Sequence, residues 1–98
     1  MYTIYIKLDM NRIPQDTFDT LREKHHIWHK TYFNAGKFLM IGTCPDVSGE
    51  SLIIAHGTRE ELEEAVQFDS YYTDQLATYE IREYKVDLFN EAIKNYID

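Results

Sequence analysis

The stretch Asp16–Gly36, DTFDTLREKHHIWHKTYFNAG, decides how this chain folds. Phe18, Leu21, His25, Trp28 and Tyr32 recur at steps of three and four, which brings them onto one face of an α-helix. Asp16 or Thr17 is placed to cap the start of that helix, and Gly36 supplies the left-handed residue that ends it. On a face built for burial, His25 stands where Leu or Ile is the ordinary choice. A titratable ring at such a position is either tied into a hydrogen-bond network or kept for chemistry.

Strand patterns flank the helix. Tyr2 to Leu8 alternates β-branched and aromatic residues with polar ones, and Asn11 to Pro14 breaks the run. Lys37 to Thr43 reads as a second strand, apolar enough to predict burial on both faces, and CPDVSG (44–49) as the turn that follows. Glu50 to His56 is a third strand closed by Gly57. Thr58-Arg59-Glu60-Glu61 has the form of a capping box opening a second helix that runs to about Phe68, with Leu62, Ala65 and Val66 inward. Leu76 to Val86 predicts the last strand. Asp87 to Tyr96 predicts a C-terminal helix with Leu88, Phe89, Ala92, Ile93 and Tyr96 on its apolar side.

The order β-α-β-β-α-β plus a terminal helix is that of an α+β, ferredoxin-like split βαβ fold. Two helices on one face of a four-stranded antiparallel sheet leave the other face bare. A second copy of the chain covers such a face most simply, so the expectation is a homodimer resembling a dimeric α/β-barrel.

With 98 residues there is room for one domain. The net charge of −7 argues against nucleic acid as a partner, because phosphate binding needs a basic patch. A single cysteine, Cys44, rules out an intrachain disulfide and suits a reducing compartment. No apolar run is long enough to span a bilayer, and the opening MYTIYIKLDM reads as a strand and not a signal peptide. The expected location is the cytoplasm, with no membrane partner.

Several segments share an order and spacing that resembles the YCII-related (YciI-like) domain family. They are Arg22-Glu23-Lys24-His25, Gly36 eleven residues after that histidine with Lys37-Phe38-Leu39 behind it, the helix start Arg59-Glu60-Glu61-Leu62-Glu63-Glu64, the turn Asp69-Ser70-Tyr71, and Leu76-Ala77 followed by Tyr79-Glu80-Ile81 and Glu83-Tyr84. The resemblance covers about residues 2–86. Gly42-Thr43 stands where the family has Gly-Pro, Asp69-Ser70 where it has Asp-Pro, and Gln75 where it commonly has glycine. The resemblance implies a dimeric ferredoxin-like fold and a His–Asp pair, here His25 and Asp69, as an enzyme site.

In that pairing a carboxylate fixes the tautomer of the imidazole, whose ordinary pKa is about 6.5, and the pair can move a proton on a small substrate as base and then acid. The plainer reading has Asp69 merely pinning the helix to the loop. Arg22, one turn before His25, is placed to hold a carboxylate or phenolate, or else to pair on the surface with Asp19. Trp28, Tyr71 and Tyr72 are candidates to wall the pocket, with Gly42 in a lining loop. His25 and His29 have the i, i+4 spacing of metal ligands, but no third ligand appears at a set spacing. The expectation is therefore no metal and no cofactor, with His26 and His29 exposed. Cys44 has no adjacent base by spacing and reads as incidental. The resulting expectation is a metal-independent acid/base enzyme acting on a small carbonyl or ring compound. Its rival is a non-catalytic dimeric module that binds a small ligand or a protein.

Overall fold

The computed structural model describes residues 1–97. Its elements are β1 (Tyr2–Leu8), α1 (Phe18–Asn34), β2 (Phe38–Thr43), β3 (Glu50–Ala55), α2 (Arg59–Val66) and β4 (Ala77–Glu83), with 3-10 helices at Gln15–Thr17 and Glu91–Tyr96. The four strands form one antiparallel sheet in the order β2-β3-β1-β4. No helix among the described residues is long and apolar enough to cross a membrane.

Local chemistry sets the helix ends. After α1, Gly36 takes φ +77°, Lys37 N–H donates to Tyr32 O, and Gly36 N–H donates to Phe33 O. These two bonds satisfy carbonyls that the helix end leaves open, and only glycine adopts that φ without cost. At the other end Thr17 is the cap residue but caps nothing with its side chain. Its hydroxyl turns back to Pro14 O, and the 3-10 turn at Gln15–Thr17 leads into the helix instead. For α2 the capping box forms as its pattern predicts: Thr58 Oγ1 accepts from Glu61 N–H, and a Glu61 carboxylate oxygen accepts from Thr58 N–H.

Alternation along the strands puts Tyr2, Ile4 and Ile6 of β1 beside Ile53 and Ala55 of β3, and beside Tyr79 and Ile81 of β4. This face packs on Trp28, Leu62 and Val66 of the helices. Ile4, Ile6 and Ile53 are fully buried, and each contributes about 1.5–3 kcal/mol through the apolar surface it removes from water. A smaller cluster of Ile13, Tyr71 and Leu76 closes one end.

Two expectations do not hold. β2 is an edge strand with a register shift between Phe38 and Met40, and Leu39 is 45% exposed, so the strand is not buried on both faces. Apolar composition sets that a strand is partly buried, while its place in the sheet sets how many of its sides are covered. The chain after β4 does not form the expected α-helix over 87–96. It runs extended and then makes the 3-10 helix Glu91–Tyr96, where Asn90 Oδ1 accepts from Ala92 N–H. Leu88 is 95% exposed, and Phe89 and Tyr96 are also open. An amphipathic segment this short needs a surface to pack on before an α-helix is stable, and here its apolar side meets none.

Candidate functional site

Three hydrogen bonds tie α1 to the end of α2 and the turn beyond it. Trp28 Nε1–H donates to Ala65 O at 2.9 Å, His25 Nδ1 meets Asp69 Oδ1 at 2.6 Å, and Ser70 Oγ–H donates to Leu21 O at 2.7 Å. The spacing 21, 25, 28 keeps all three on the helix face that points at α2. Past Val66 the chain tightens through successive bonds to the third residue back, Gln67 to Glu64, Phe68 to Ala65 and Asp69 to Val66. That tight turn brings Asp69 beneath α1, where it is 1% exposed.

The carboxylate is held from two sides. His25 takes Oδ1, and the Tyr79 hydroxyl donates to Oδ2 at 2.6 Å. Burial first, then the bond to Asp69, pushes the Tyr79 hydroxyl far above the ordinary range of a phenol. An ionised Asp69 accepts from both partners, and the His25 tautomer that matches it carries its proton on Nδ1. His25 Nε2 has no hydrogen-bond partner among the described residues. Among the described residues, the only buried side-chain nitrogen or oxygen that is both sealed and unpaired is His29 Nε2, so His25 Nε2 opens onto the cavity that the ring lines.

That cavity has a volume of about 340 Å³. Leu8, Met10 and Phe18 give it an apolar side, and Tyr71 closes it with its ring 5.1 Å from that of His25. Burial and the Asp69 charge raise the Tyr71 hydroxyl. Thr43 and Ser51, adjacent on β2 and β3, supply a polar floor. Arg22 lines the same cavity and makes no ion pair with Asp19 among the described residues. Glu50 belongs by strand alternation to the opposite face of the sheet. There its carboxylate, beside Tyr5, pushes the phenol hydroxyl up to about 12. Arg22 is the guanidinium on the cavity wall, where Glu50 is also a lining residue, in a chain of net charge −7.

The structure thus brings His25, Asp69, Arg22 and Tyr71 together and separates the other candidates. Trp28 lies in the core, 5% exposed, and is not in the cavity wall. Tyr72 sits beside Tyr79 on the open groove between α2 and β4. Gly42 faces the bare side of the sheet, and strand parity gives its place at the cavity to Thr43. Cys44 lies exposed at the rim.

His29 is a correction: it is 7% exposed and packs edge-on against His25, with ring centroids 4.1 Å apart. A step of four residues from His25 lands on the same buried face. Burial, then the proximity of His25, pushes the His29 imidazole down to about 4, so it stands uncharged at neutral pH. His26 is exposed, as expected, and it too is lowered, by desolvation and then by His25.

Tyr79 and His29 are the residues that sequence reasoning missed. For Tyr79 the signal was parity, since it shares the inward phase of Ala77 and Ile81, where a phenol needs a buried acceptor. For His29 it was the four-residue step. Among the described residues no group of three or more His, Cys, Asp or Glu could hold a metal ion. Compared against protein-family models and against curated proteins, the chain matches none.

Proposed function

We propose that this chain is a small-molecule enzyme of the YCII-related type, using His25 and Asp69 for proton transfer on a small carbonyl or ring compound. The observation that carries this reading is a buried His25–Asp69 pair at 2.6 Å whose free imidazole nitrogen opens into a cavity of about 340 Å³. Asp69 Oδ1 accepts from Nδ1–H and fixes the tautomer. Nε2 then carries a lone pair toward the cavity and takes a proton from an acidic C–H or O–H of the substrate. The imidazolium so formed is stabilised by the Asp69 carboxylate, and it returns the proton at a second atom of the same molecule. Arg22 pairs with an anionic group and sets the orientation of the substrate.

The fold reading is the ferredoxin-like one. It is supported by the strand order β2-β3-β1-β4 together with packing of both helices on one side of the sheet. A homodimer through the bare face is supported by the apolar residues Met40, Leu52 and Ile54 that share it. Light scattering tests this part, and a mass of one chain would overturn it. A cytoplasmic location is the companion proposal, supported by the lone, unpaired Cys44.

The test of the site is an NMR titration of His25 in the native protein and in Asp69→Asn. A midpoint that drops in the variant supports the pair, and an unchanged midpoint removes it. A second reading is favoured by the three-bond tie between α1 and the α2 turn, in which His25–Asp69 is one structural link of a non-catalytic binding module. Under that reading His25→Gln leaves ligand capture by the cavity intact. Under the enzyme reading it abolishes turnover.

A further inference from the structure

The buried Asp69 has two oxygens and a donor on each, and the second donor comes from a part of the chain that otherwise has no share in the site. Tyr79 lies on β4, directly opposite Ile6, which in turn pairs with Ser51. The row across the helix-facing side of the sheet therefore reads Tyr79, Ile6, Ser51, Thr43, with polar groups on either side of one isoleucine. At the Ser51 end lies the cavity floor, and at the Tyr79 end lies the carboxylate.

We infer that Tyr79 is a positioning residue of this site: by donating to Oδ2 it holds Asp69 as a fixed, ionised acceptor and so keeps Nδ1 protonated and Nε2 of His25 free to accept a proton. The inference rests on the His25–Asp69 reading above. The chemistry follows from counting donors. An ionised carboxylate accepts on both oxygens, which suits the Tyr79 O–H on Oδ2 and, in the Nδ1–H tautomer, the imidazole N–H on Oδ1, each at 2.6 Å. Without the phenol, Oδ2 would be a sealed oxygen with no partner, and the carboxylate would gain proton affinity and rotational freedom. A resting His25 with a bare Nε2 acts first as a base. The substrate is then a molecule that brings a removable proton, on carbon beside a carbonyl or on a hydroxyl.

The groups that face this pair are known from every packed element. Arg22, His26 and His29 face His25 from α1. Tyr71 reaches both members from the turn after α2, Tyr79 faces Asp69 from the other side, and Tyr72 lies against the Tyr79 ring. His29 is uncharged at neutral pH, so Arg22 is the fixed cation near the pair.

The experiment is the His25 titration by long-range proton–nitrogen NMR in native protein, Tyr79→Phe and Asp69→Asn. Loss of a hydrogen bond to a buried carboxylate makes the pair bind its proton more tightly, so Tyr79→Phe raises the His25 midpoint by about one pH unit. A midpoint that stays put or falls, with Asp69→Asn still moving it, overturns the role of Tyr79 alone and leaves a phenol that only packs. If Asp69→Asn also leaves His25 unmoved, the pair itself is refuted. Should Tyr79→Phe fail to fold, protein carrying 3-fluorotyrosine at position 79 alone replaces it. The more acidic phenol donates more strongly, so the His25 midpoint falls, and no change overturns the inference.

Discussion

His29 makes the acid stability of this protein open to calculation. Its imidazole is 7% exposed, lies against the His25 ring, and has a sealed Nε2 with no partner. Burial holds it down to about 4, against an ordinary 6.5 in the unfolded chain. As pH falls below 6.5 the unfolded chain takes up a proton at this residue and the folded chain does not, so stability is lost until pH 4 and no further below it. A gap of about 2.5 units at ~1.4 kcal/mol per unit makes the loss on the order of 3 kcal/mol, a large fraction of the stability of a small domain. The perturbation is His29→Phe, which keeps a flat ring and removes the titration. Urea midpoints at a series of pH values from 7.5 to 4 for both proteins give the difference, in which contributions from the carboxylates cancel. At pH 7.5 the variant is expected to be at least as stable as the native chain, because it also removes a buried unpaired nitrogen. Two curves that fall in parallel between pH 6.5 and 4 would refute the buried, neutral imidazole.

Trp28→Phe keeps an aromatic ring in the core but removes the indole donor to the Ala65 carbonyl, which keeps its bond from Phe68 N–H, and a loss of about 1 kcal/mol is expected in chemical denaturation. Thr58→Ala removes the cap of α2 and lowers stability by about 1 kcal/mol, while Thr58→Ser, which keeps the hydroxyl, changes it by a few tenths. Truncation after Val86 removes a segment whose Leu88, Phe89 and Tyr96 touch little, so calorimetry of the shortened chain is expected to stay within about 0.5 kcal/mol of the original.

Much of the architecture is local and therefore legible in order along the chain. The steps of three and four through Phe18, Leu21, His25 and Trp28 specify a helix and its buried side, because helix geometry brings those positions together whatever lies opposite. Gly36 and the Thr58–Glu61 box mark helix ends by satisfying backbone groups within a few residues. Alternation in β1 and β3 states which residues face the core. His25 is exceptional at this same local level, as the one imidazole among Phe18, Leu21, Trp28 and Tyr32.

Tertiary structure alone decided what His25 meets. Asp69 lies 44 residues away, and its approach depends on the tight turn after Val66. Tyr79 reaches the same carboxylate because β4 pairs with β1 in a register that puts it beside Ile6. His29 shares the spacing of an exposed partner and of a buried one, and the covering of that part of α1 made it the second. The apolar run of β2 could not reveal that it borders the sheet, nor could the amphipathic pattern over 87–96 reveal that no surface awaits it. Hydrophobic pattern states which side of a segment avoids water. Which groups arrive to cover it, and with what chemistry, depends on contacts that form between residues far apart in the chain.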